Sequence, residues 1–190
     1  MRGRHFDLAL QLHGSGQSSN SIVREFGARV LAGYCPAPSE ADDDGCFVEY
    51  VDCGHEAQRL LRLVEFLGAP SQGMQMEFPL TVEDENELRA SGLAEGLEPS
   101  AYFCLQPGAR SLDKRWPPAH FAEVADRLCD EFGLRAVITG SEAEIDVAQA
   151  VAAHMKHEPV IAAAPISIGA MAALLSRARL LICDDTGGSH

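Results

Sequence analysis

The residues best suited to chemistry fall in three short loops of the C-terminal half, each closing an apolar run. The first, from Gln106 to Phe121, places Arg110, Lys114 and Arg115 within six residues. Glycine at position 108 allows close backbone approach, and flanking cations can neutralise a diphosphate, although the same charges would also keep an exposed loop soluble. The chain has thirteen arginines and only two lysines, Lys114 and Lys156, so a lysine here departs from its own habit. Trp116 reads as a packing anchor for Phe121 rather than a base-stacking platform. The second loop, Thr139-Gly-Ser-Glu-Ala-Glu, brings Glu142 and Glu144 to the start of a helix. Acids there suit the positive end of the helix dipole; they also suit ribose hydroxyls. The third runs Asp184-Asp185-Thr186-Gly187-Gly188-Ser189-His190 after an apolar strand. Its backbone N–H groups could face an anion, and Gly187 and Gly188 remove the Cβ atoms that would hold a phosphate away.

These loops need a scaffold that brings them to one edge, and the pattern from Ala101 onward supplies it. Strands are expected at 101–106, 134–139, 160–164 and 180–183, alternating with helices at 118–132, 142–155 and 168–178. Such alternation means βαβ units and a parallel sheet, with ligands at the carboxyl ends of the strands. The N-terminal half gives a buried strand at 6–12, a short helix at 19–26, a strand at 29–34 and an amphipathic helix at 55–67 ended by Gly68 and Pro70. The polar segment 73–100 reads as a short strand and helix leading into a linker, placing the domain boundary at 97/98.

The net charge of the 190 residues is −13, which excludes a basic, phosphate-tracking nucleic-acid binder. The acidic excess is concentrated. Seven acids and no base lie between Pro36 and Glu56, and seven more against Arg89 alone between Glu77 and Glu98. Both stretches read as solvated faces. Six cysteines without a CxxC pair indicate neither a disulfide framework nor a zinc site. No apolar run is long enough to span a bilayer, and the basic start has too short an apolar stretch for a signal peptide, so a cytoplasmic location is expected. His13-Gly-Ser-Gly-Gln lacks the third glycine and the later acid of a dinucleotide fingerprint. His13 reads as a solvent-side loop residue.

Three segments taken in order, PGA-x-x-x-x-K-x-W-P (Pro107 to Pro117), TGS-x-x-E (Thr139 to Glu144) and DTG-x-x-H (Asp185 to His190), resemble the C-terminal domain of the ADP-heptose:lipopolysaccharide heptosyltransferases, glycosyltransferase family 9. FDLALQLHGSGQSSN, GARVLAGY and HEAQRLLRLVEFLG are similar to the latter part of that family's N-terminal domain. The resemblance implies an α/β, GT-B-like architecture of two Rossmann-like parallel-sheet domains. Residues 1–97 would be a partial acceptor-side domain with linker, and residues 98–190 a partial nucleotide-sugar-binding domain. It implies a transferase that moves heptose from ADP-heptose to the lipopolysaccharide inner core, inverting, without metal or cofactor, with peripheral contact at the inner membrane. Carried over by position, Lys114 becomes the diphosphate cation and Asp185 the acid near the sugar, with Arg110 beside the diphosphate. Thr186, Gly187 and Gly188 supply the phosphate loop, which His190 closes, and Glu142 or Glu144 contacts the ribose. On this reading both domains are incomplete and the family's general base is absent from the chain. The alternative expectation is a non-catalytic nucleotide-binding remnant of such an enzyme.

Overall fold

The structure is a computed structural model that describes residues 4–37, 45–109, 111, 113 and 115–184. The chain forms two compact units, Met1–Glu77 and Phe78–His190. In the first, β1 (Leu8–Leu10), β2 (Val30–Cys35) and β3 (Gly45–Glu49) form a parallel sheet in the order β1-β2-β3, joined by α1 (Ser19–Arg24) and followed by α2 (Glu56–Phe66). Tyr34, Val48 and Leu63 make its core. Leu63 is the fully buried residue of α2, and Tyr34 packs edge-on against Tyr50 at 5.8 Å.

Two features of this unit differ from the sequence reading. The strand expected to be buried is an edge strand, with Leu8 and Leu10 47% and 44% exposed, because β2 pairs with only one of its sides and no described element covers that face. Strand β3 lies inside the stretch read as a solvated acidic face. Its Cys46-Phe47-Val48 triplet pairs with β2 and outweighs the surrounding acids.

The second unit is a four-stranded parallel sheet ordered β6-β5-β4-β7, from β4 (Tyr102–Gln106), β5 (Arg135–Gly140), β6 (Val160–Ala163) and β7 (Leu181–Cys183). Alternation along β4 divides its side chains between two cores. Phe103 and Leu105 face α4 (Pro118–Phe132) and α5 (Ile145–His154), meeting Phe121, Ala125 and Val151. Tyr102 and Cys104 face α3 (Val82–Ser91) and α6 (Ile168–Ser176), meeting Leu88, Ala173 and Leu174. Helix α4 starts with Pro118 in its first turn and ends at Gly133 with φ 65°, a left-handed closure that favours glycine.

Helix α3 belongs to this unit, so the boundary falls at 77/78 rather than 97/98, and no strand precedes the helix in 73–81. The acids of α3 are also bonded rather than merely solvated. Asp84 accepts from the Thr81 N–H and hydroxyl, each at 2.8 Å, which holds its carboxyl below the usual range. Glu87 accepts the Ser167 hydroxyl at 2.6 Å and N–H at 2.7 Å, which lowers its pKa and ties α3 to the start of α6. Glu85 pairs with Arg177 beyond the other end of α6. One segment was therefore misread because its partners lie about eighty residues away.

Leu88→Ala should cost about 2–5 kcal/mol in urea unfolding of the second unit, whereas a linker position would tolerate the change silently. Burial pushes the Cys104 thiol from 9.0 up to about 12 and the Tyr102 phenol from 10.0 up to about 12. Both groups keep their protons in the folded sheet after the unfolded chain has lost them. The urea midpoint should fall as pH rises from about 9 to 12, and less steeply in Cys104→Ala.

Candidate functional site

Strand β4 is followed in space by β5 and β6 on one side, while β7 returns to its other side. The carboxyl ends of β4 and β7 therefore flank the point where strand order reverses, the position at which open parallel sheets bind ligands. The pairing register ends with Gln106 opposite Cys183. Beyond that rung the chain opens into a cleft of about 450 Å³ lined by Asp113, Arg115, Trp116, Phe121, Ile182, Cys183 and Asp184.

The walls are built locally. Arg115 folds back so that its Nε donates to the Ala109 carbonyl at 2.8 Å. Trp116, 42% exposed, packs its ring edge-on against buried Phe121 at 5.2 Å and beside His120 at 5.3 Å, as the sequence suggested for the Phe121 pair. From the opposite wall, Asp184 Oδ1 accepts the Trp116 N–H at 3.1 Å. Asp184 is only 8% exposed, and sequence reasoning passed over it in favour of its neighbour Asp185. The signal available was a second acid directly after an apolar strand.

The loop after β5 approaches the same edge. Thr139 is buried, its hydroxyl donating to the Leu105 carbonyl at 3.1 Å. A single 3-10 turn, Glu142–Glu144, stands where a continuous helix was expected, before α5 begins at Ile145. Glu144 Oε2 accepts both the Ser141 N–H at 2.8 Å and the Ser141 hydroxyl at 2.7 Å. Its Oε1 leans against Gly108, where a Cβ would collide with it. Glycine at 108 thus accommodates a carboxylate from the neighbouring loop. Glu142 is exposed.

Of the residues singled out from the sequence, Glu142, Glu144 and Arg115 are placed by the structure, while Arg110, Lys114, Asp185, Thr186, Gly187, Gly188 and His190 lie outside the described residues. Among the described residues no cluster of three His, Cys, Asp or Glu side chains could hold a metal ion, and no helix is long and apolar enough to cross a membrane. Another cleft, about 350 Å³ beside Leu88 and Gly92, has Glu85 and Arg177 on its wall, already engaged with each other. It lies away from the strand ends.

Comparison with known proteins bears on what the strand-end cleft serves. Residues 1–190 match the sequence model of glycosyltransferase family 9 (heptosyltransferase). Over 120 residues the chain is 29% identical to lipopolysaccharide heptosyltransferase 1 of Pseudomonas aeruginosa, covering 63% of this chain and 33% of that protein. Among solved structures, the glycosyl transferase family 9 protein from Veillonella parvula aligns with a TM-score of 0.69 at 21% identity, covering 98% of this chain and 54% of that one. E. coli heptosyltransferase WaaC with ADP aligns at 0.61 and 18% identity, over 99% of this chain and 57% of the other. E. coli ADP-heptose lps heptosyltransferase II aligns at 0.56 and 22% identity, over 100% and 60%. These likenesses bear out the α/β, GT-B-like fold of parallel-sheet units. The chain spans a little over half the length of these structures and a third of the curated relative.

Proposed function

The chain belongs to glycosyltransferase family 9 (heptosyltransferase), and from that premise we propose that its second unit holds the nucleotide of ADP-heptose during transfer of the heptose to the lipopolysaccharide inner core. The observation that carries the reading is the cleft at the carboxyl ends of β4 and β7, where strand order reverses. A P. aeruginosa relative named for lipopolysaccharide heptosyl transfer and a structural neighbour solved with ADP support it. Residues 1–77 are read as part of the acceptor side.

The chemistry asked of this half is leaving-group stabilisation. The acceptor hydroxyl oxygen bonds to the anomeric carbon from the face opposite the diphosphate, the carbon–oxygen bond to the diphosphate breaks with inversion, and ADP departs with the electron pair. The acceptor proton goes to a general base that none of the residues assigned here supplies. In this reading Lys114 and Arg110 offset the charge that develops on the diphosphate, and Thr186, Gly187 and Gly188 donate backbone N–H groups to the same phosphates, with no metal required. His190 is read as a further nucleotide-sugar contact and Asp185 as the acid for the sugar. Electrostatic stabilisation of this kind is worth about 3–4 kcal/mol per donor removed.

Between the two candidate ribose contacts, the geometry favours Glu144. Its carboxylate is turned to the loop after β4 and held there by Ser141, whereas Glu142 is exposed. The transfer takes place on the cytoplasmic side of the inner membrane, where the acceptor is anchored and the enzyme meets it peripherally.

Calorimetry with ADP and ADP-heptose tests the donor reading directly: both should bind, and absence of binding by either would sink it. Binding without transfer would identify the chain as a nucleotide-binding remnant. In protein that turns over, Lys114→Ala and Asp185→Ala should each lower kcat at least ~100-fold with the circular-dichroism spectrum unchanged; near wild-type rates in both would remove the assignment. Glu144→Ala should weaken ADP binding about tenfold while Glu142→Ala stays within about twofold; the reverse order would transfer the ribose role to Glu142.

A further inference from the structure

We propose that Asp184 is a positioning residue that ties the end of β7 to Trp116 in the loop after β4 and so sets the affinity of the cleft for a nucleoside diphosphate. The inference rests on the reading of the second unit as the donor-nucleotide half. Asp184 follows the last residue of β7, and its N–H still reaches the Gln106 carbonyl at 3.4 Å, so its backbone is fixed by the sheet. Its side chain crosses the switch point, and Oδ1 accepts the Trp116 N–H at 3.1 Å, sixty-eight residues away in sequence. Trp116 comes two residues after Lys114 and Asp184 one residue before Asp185. One hydrogen bond thus joins the end of β7 to the loop after β4.

The far side of Trp116 is held as well. Its ring rests on Phe121, which belongs to the α4-side core, so the loop is pinned between a packed helix and the end of β7. The strand pairing itself stops at Gln106 and Cys183, leaving the side chain of Asp184 to carry the connection beyond the last rung. The second oxygen, Oδ2, is buried and takes no hydrogen bond among the described residues, so the connection they show runs through Oδ1. Asparagine would present the same carbonyl oxygen to Trp116 without the charge. Alanine would leave the Trp116 N–H without its acceptor.

The chain has a single tryptophan, so its emission reports on this cleft and nothing else. The test combines amide hydrogen exchange at Trp116, which needs no ligand, with ADP titration followed by tryptophan emission, on wild type, Asp184→Ala and Asp184→Asn. Asp184→Ala should exchange the Trp116 amide about tenfold faster and bind ADP about tenfold more weakly, while Asp184→Asn stays within about twofold of wild type in both. Wild-type exchange at Trp116 in Asp184→Ala, or an Asp184→Asn variant as impaired as alanine, would overturn the proposal. Should wild type itself fail to bind ADP, the donor reading falls and the affinity claim with it, while the exchange comparison still decides whether the tie exists.

Discussion

The second unit depends on one constraint: β4 is paired on both sides and covered on both faces. Both of its strand pairings are parallel, to β5 through Tyr102–Leu105 and to β7 through Cys104–Gln106. Parallel strands require crossovers, and crossovers put helices on the faces. The alternation of Tyr102 and Cys104 with Phe103 and Leu105 then demands two separate apolar covers. One cover is α4 with α5; the other is α6 with α3. The raised pKa of Cys104 and Tyr102 is the electrostatic mark of the same burial.

That arrangement also decides where a ligand goes. With β5 and β6 on one side of β4 and β7 on the other, the cleft lies beyond the carboxyl ends of β4 and β7. The loop after β5 reaches in from the neighbouring rung, where Glu144 rests on Gly108. Strand order, rather than any single side chain, puts the ends of β5, β4 and β7 side by side. Side-chain hydrogen bonds add to it, from Arg115 to Ala109, from Ser141 to Glu144 and from the Trp116 N–H to Asp184.

The readings that failed have a common cause. Segment 73–100 reads as a short strand and helix leading into a linker because it is polar, acidic and punctuated by glycine and proline, yet Asp84 satisfies the first turn of α3, Glu87 the start of α6 and Glu85 an arginine beyond it. None of those partners is nearby in sequence except Thr81. Leu88 is buried against the sheet, with Leu93, Ala94 and Leu97 partly buried in the same cluster. Strand β3 was hidden in the same way, its apolar triplet being short and set among acids. The strand at Leu8–Leu10 failed in the other direction: its alternation was legible, but its exposure depends on what lies across the sheet.

By itself the sequence determined the alternation of strands and helices from Ala101 onward, the absence of a basic nucleic-acid surface, and the order of three loop motifs that marks the family. Those properties are local: hydrophobic period, turn residues and residue types at fixed spacing are carried by contiguous stretches of chain. Only the tertiary structure decided which strands are neighbours, that α3 belongs to the second unit, that Glu144 rests against Gly108, and that Asp184 accepts from Trp116. Each of these is a contact between residues far apart in sequence or a choice between adjacent ones. It is settled by strand order and side-chain direction in space, neither of which spacing along the chain encodes.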